Sequence, residues 1–138
     1  MTAKDYLGQA RFLDTRIDSK IQQVSRLRDL ATKCTSTLSD MPKNPSPNQS
    51  NMENIICKIV DLENEINSDI DRLVDLKREI VGVIKEVENT DFQTLLEKRY
   101  LSYLTWEQIA KDMGFGIDNI FKLHRLALKN VKIPKTLQ

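Results

Sequence analysis

Two runs of apolar residues at 3-4 spacing, separated by a proline-rich break, leave this chain few folds to choose from. In the first run heptad a positions fall on Ala3, Ala10, Ile17, Val24, Ala31 and Leu38, with d on Tyr6, Leu13, Lys20, Leu27 and Cys34. In the second, a falls on Met52, Ile59, Ile66, Leu73, Ile80 and Val87, and d on Ile55, Leu62, Asp69, Leu76 and Val83. A seam of this period is what two helices need to wrap around each other, and each run has a single charged break. Between them "MPKNPSPNQSN", residues 41–51, holds three of the four prolines and little that can be buried. It reads as a loop, because proline lacks the amide donor a helix interior requires. Two helices of similar length joined by such a loop favour an antiparallel hairpin, each arm on the order of 50 Å long at about 1.5 Å per residue.

The charged breaks fall near the same level of that hairpin. With the loop centred near residue 46, Lys20 and Asp69 come within about one helical turn of each other. Either they are partners, since an unpaired buried charge is costly, or each reaches sideways to water along its own stem. The apolar face is also wider than a two-helix seam needs, because Leu7, Ile21, Ile56, Ile70 and Ile84 occupy e positions. A second copy of the chain, making a four-helix bundle, is the preferred cover for Ile21, Ile56, Ile70 and Ile84. Packing of the C-terminal third against the hairpin is the alternative.

Composition agrees with an all-α fold: 30% of residues are charged and only 6% aromatic. No apolar run approaches the roughly 20 residues a bilayer span requires, and charge interrupts the N-terminus too often for a signal-peptide core, so no membrane partner is expected. Cys34 and Cys57 are too few for a disulfide framework, and no metal-ligand spacing occurs, so free thiols, no metal and no cofactor are expected. An enzyme is not expected either, for want of a Gly-rich phosphate loop, a nucleophile with a partner base, or a carboxylate pair. The net charge of +1 conceals an asymmetry. Residues 52–88 carry five Lys or Arg against ten Asp or Glu, whereas residues 89–138 carry eight against five. A nucleic-acid surface would belong to the C-terminal third.

That third reads as three short helices. Thr90 with Gln93 forms a capping-box pattern ahead of Phe92, Leu95, Leu96 and Tyr100, which predicts a helix over about 91–102. Thr105 with Gln108 repeats it and opens "WEQIAKDM", with Trp106, Ile109, Ala110 and Met113 inward. Gly114 can take the left-handed conformation that ends this helix. A last helix starts near Ile117 with Ile120, Leu123, Leu126 or Ala127, and Val131 on its inner side. The boundaries predicted are a hairpin over 1–88, with its loop at 41–51, and a DNA-binding head over 89–138.

The stretch "LEKRYLSYLTWEQIAKDMGFGIDNIFKLHRLAL" resembles the helix-turn-helix of region 4 of bacterial sigma factors. The chain as a whole resembles small phage-encoded sigma-region-4-like proteins of Gram-positive bacteria, in the style of the ArpU and RinA phage transcription regulators. It departs from the sigma pattern at Gly116, where Ser or Thr is usual, and at Ile117 and Phe121, where arginines are typical. The resemblance implies double-stranded DNA as partner, RNA polymerase as a further contact, and a bacterial host; the apolar e positions lead to the expectation of a homo-oligomer, with a dimer favoured, and the want of a span or signal core to that of the cytoplasm. In helix-turn-helix geometry the start of the last helix enters the major groove, so Asp118, Asn119, Phe121 and Lys122 are the candidate base contacts. Thr105, Gln108, Lys111, Arg125 and Lys129 are candidates for phosphate. His124, without a carboxylate or cysteine at useful spacing, is expected exposed and neutral. Two other functions fit the same layout. One is a small terminase-like packaging protein; the other is a module that docks on polymerase or another host protein through Ile117 and Phe121.

Overall fold

The computed structural model describes the backbone of residues 1–40 and 47–134, with side chains for 1–34 and 50–134. Among the described residues five α-helices and one π-helical turn follow one another, and no strand occurs. They are α1 (Ala3–Asp40), α2 (Pro47–Lys85), α3 (Thr90–Leu96), the π turn (Glu97–Leu101), α4 (Trp106–Met113) and α5 (Ile117–Lys129). No helix among the described residues is long and apolar enough to cross a membrane. Cys34 and Cys57 are free thiols.

The heptad reading holds at side-chain level, since every a and d position with a described side chain is buried or half-buried. Leu38 lies outside those residues. α2 already begins at Pro47, so residues 47–51, expected in the loop, are helical. The first turn is where a helix accepts proline, whose missing N–H would have no partner there anyway. The remainder of the expected loop, residues 41–46, lies outside the described residues.

The chain packs as two compact units, Met1–Leu13 with Arg72–Gln138, and Asp14–Asp71. Within the second unit α1 and α2 run antiparallel. Lys20 Nζ donates to Asp69 Oδ2 at 2.6 Å with both side chains nearly buried, and Arg28 Nη2 donates to Glu63 Oε1 at 2.6 Å. Of the two readings of the charged breaks, partnership is the one realised. A lysine and a carboxylate that would each be costly to bury alone satisfy one another at the centre of the seam.

In the first unit the start of α1 and the end of α2 share a core with the head. Tyr6, Leu7, Ala10, Ile80, Ile84, Val87, Leu95, Leu96, Ile109, Ile120 and Ala127 are essentially sealed from water. The Tyr6 hydroxyl donates to Glu79 Oε1 at 2.7 Å, and burial followed by that carboxylate pushes its pKa well above the ordinary phenol value. The e positions therefore divide. Leu7 and Ile84 are fully buried inside the chain, each stabilising it by about 1.5–3 kcal/mol. Ile21, Ile56 and Ile70 remain 48%, 50% and 40% exposed. Ile84 thus leaves the set of residues available to a second copy, because packing within its own chain already covers it.

The entry to the head differs from its sequence signal. Asn89, not Thr90, caps α3, its Oδ1 accepting from the amides of Asp91 (2.8 Å) and Phe92 (3.3 Å). Gln93 does not reach back to the cap. Its Nε2 donates to the carbonyl oxygens of Lys85 (3.2 Å) and Val87, satisfying groups left open where α2 ends. The expected single helix over 91–102 is α3 followed by the π turn, closed by the Ser102 amide on the Glu97 carbonyl at 3.0 Å.

Candidate nucleic-acid interface

Local chemistry fixes where α4 and α5 begin and end. Thr105 Oγ1 accepts from the Gln108 amide at 3.2 Å while Gln108 Oε1 accepts from the Thr105 amide at 3.0 Å, the reciprocal box the sequence predicts. Gly114 closes α4 at φ 73°, a left-handed conformation open to glycine without steric cost. Gly116 then caps α5 without a side chain. The turn from Gly114 to Gly116 lets α5 fold back onto α4, and α5 also packs on α3.

The surface of α5 is sorted by helical period. Ile120, His124 and Ala127 are buried, whereas Asp118, Asn119, Phe121, Lys122, Arg125 and Lys129 are exposed. Asp118, Lys122, Arg125 and Lys129 recur at intervals of four, three and four residues, which aligns them as one ridge. Phe121 flanks the ridge on one side, Asn119 and Leu126 on the other. All four residues expected to face bases therefore point outward from one helix. Between the alternatives Leu126 and Ala127 it is Ala127 that turns inward, Leu126 being 41% exposed. Val131 lies beyond the helix, which ends at Lys129.

The residues expected to meet phosphate spread over α4 and α5. Lys111, Arg125 and Lys129 are exposed cations. Thr105 and Gln108 spend an amide hydrogen and a side-chain oxygen each on their mutual box. What remains for a phosphate at this helix start is the Thr105 hydroxyl hydrogen and Gln108 Nε2, with the first-turn amides of Trp106 and Glu107.

His124 corrects the sequence expectation. It is buried, not exposed, and its Nε2 pairs with the Tyr100 hydroxyl at 2.6 Å. Burial above all, then the charges of Lys4 and Arg99, push its pKa down to about 4, so it is neutral at pH 7 as expected but for a different reason. Burial likewise raises Tyr100 to about 12. Trp106 is half-buried and sits edge-on to both His124 (4.6 Å between ring centres) and Phe121 (5.4 Å). Arg99 lies over its face at 4.2 Å and donates from Nη1 to the Leu104 carbonyl at 3.0 Å. Phe121 is thus an exposed ring in edge contact with Trp106.

Three features were invisible in the sequence. Lys4 of α1 joins Trp106, Asp118, Phe121, His124 and Arg125 around an open cleft of about 540 Å³, from about a hundred residues away in the chain. Tyr103, ahead of α4, takes a left-handed backbone, φ 59°, with Lys77 Nζ 5.0 Å from its ring centre. An ion pair, Lys98 Nζ to Asp112 Oδ2 at 3.6 Å, links the π turn to α4. Lys4 and Lys77 reach these places from other helices, which no local pattern signals.

A family described as "Protein of unknown function (DUF1492)" matches residues 42–132, two-thirds of the chain. The chain belongs to the DUF1492 family. No curated protein and no solved structure matches it. The DUF1492 match takes in all of α2 and the three short helices and ends at Lys132, just past α5. Asn119, Lys122 and Arg125 lie inside it; Lys4 does not.

Proposed function

We propose that the chain is a sequence-specific DNA-binding regulator of transcription, its C-terminal third working as a sigma-region-4-like helix-turn-helix in the cytoplasm of a bacterial host. The sorted surface of α5 carries this reading. A helix buried along one side by Ile120, His124 and Ala127 offers on the other a ridge of Lys122, Arg125 and Lys129 flanked by Asn119. An amide side chain near the start of such a helix suits bidentate pairing with adenine, and a lysine one turn on suits guanine. Arg125, Lys129 and Lys111 supply charge for the backbone on either side. The exposed Ile117 and Phe121 support a second reading, docking on RNA polymerase or another protein.

Two substitutions separate base reading from backbone contact. With the full-length chain and a duplex selected from random sequence, Asn119→Ala should weaken binding to the selected site by about 1–3 kcal/mol and leave binding to random duplex unchanged. Arg125→Ala should weaken both alike and flatten the dependence of log K on log salt by about 1. Equal losses on both duplexes for Asn119→Ala would remove that residue from base reading.

A further inference from the structure

The unit formed by residues 14–71 leaves a groove that its own two helices do not fill. Ile21, Val24 and Arg28 from α1 and Glu63, Ile66 and Asn67 from α2 line about 340 Å³ of open space. Beside it Ile56, Val60 and Ile70 stand 40–50% exposed on α2. On a helical wheel e and b positions are neighbours, so Ile56, Val60 and Ile70 continue the apolar arc of α2 past the seam it shares with α1. An arc this wide calls for a third helical neighbour.

Charge and register indicate which one. Residues 52–71 of α2 carry one lysine against six carboxylates, whereas residues 14–34 of α1 carry five basic residues against three. Two copies meeting α2 to α2 would bring like charge together. A two-fold axis parallel to the helices avoids this, because it lays each α2 over the α1 of the other copy. The pairs Lys20–Asp69 and Arg28–Glu63 fix which residues of α1 and α2 share a level. That axis keeps each level, so Ile21 faces the partner's Ile70, and Arg28 faces the partner's Glu63. Apolar meets apolar in one layer and opposite charges meet in the next. Such alternation pins the register of a bundle.

We infer that this face binds a second copy of the chain, giving a four-helix bundle in which each α2 packs on the partner's α1. The inference does not depend on DNA binding. Sedimentation equilibrium of the full-length chain should give a particle of twice the 16.0 kDa chain mass. Ile70→Glu should raise the dimer dissociation constant at least about tenfold, since it buries a carboxylate with no partner, while leaving the helical circular dichroism intact. Orientation is tested by cross-linking in a Cys34→Ser, Cys57→Ser background. An Ile21→Cys chain mixed with an Ile70→Cys chain should form a disulfide-linked dimer, and neither should do so alone. A monomeric wild type overturns the inference. Linkage of the Ile21→Cys chain to itself, which requires α1 on α1, overturns it as well, as does a dimer untouched by Ile70→Glu.

Discussion

Ile120→Ala should destabilise the head by about 2–5 kcal/mol, the range for removing a fully buried aliphatic side chain and leaving part of its volume empty. Ile120 is sealed from water where α5 packs on α3 and α4, one turn past the Gly116 cap. Urea unfolding of the full-length chain, followed by fluorescence of Trp106, reports on this region because Trp106 is the only tryptophan. Leu126→Ala, six residues on in the same helix, should cost less than about 1 kcal/mol, since Leu126 is 41% exposed. Similar losses for both would mean that the inner and outer sides of α5 are misassigned, and with them the candidate DNA face.

Acid should weaken the head through His124. Its pKa in the folded chain is about 4, against about 6.5 for an unperturbed histidine. Above pH 6.5 both folded and unfolded chains hold it neutral, and it makes no difference to stability. As pH falls from 6.5 towards 4 the unfolded chain takes up a proton that the folded chain refuses, so stability is lost across that window. At about 1.4 kcal/mol per pH unit the full shift amounts to about 3 kcal/mol. Its cleft is open to water, and screening reduces the expected loss to about 1–3 kcal/mol. The informative quantity is the difference between wild type and His124→Gln in unfolding free energy from pH 7 to pH 4.5, which isolates this one side chain. The variant should show a shallower fall. Parallel curves would mean that the Tyr100–His124 contact takes up the proton without strain.

How far the sequence reached follows from the range of the forces involved. Seam positions such as Ile17, Val24, Leu73 and Ile80 were legible because a 3-4 period states which side of a helix is buried. The Thr105–Gln108 box and Gly114 were legible because capping and left-handed turns use residues within one helical turn. Asn89 was missed because Asn, Thr and Asp in succession offer three candidate caps, and the choice falls to Gln93, which is committed to the end of α2. His124 was misread because its burial depends on Tyr100, 24 residues away, and on Trp106. The fates of Leu7 and Ile84, indistinguishable in the heptad from Ile21 and Ile70, depend on where the short helices pack. Within the candidate interface, outward-facing Asn119, Lys122 and Arg125 followed from periodicity alone, whereas Lys4 could be found only in three dimensions.

The most direct test of the DNA-binding reading is a salt titration of duplex binding by the full-length chain. Lys111, Arg125 and Lys129 stand exposed to meet phosphate. At about 0.9 per phosphate, log K should fall with log salt with a slope of about −3 per head, or about −5 if both heads of a dimer engage one duplex. Between about 50 and 200 mM salt a single head should therefore lose about 40-fold in affinity. No duplex binding at the lower salt, or binding indifferent to salt, would contradict the account and leave Ile117 and Phe121 as the contact for a protein partner.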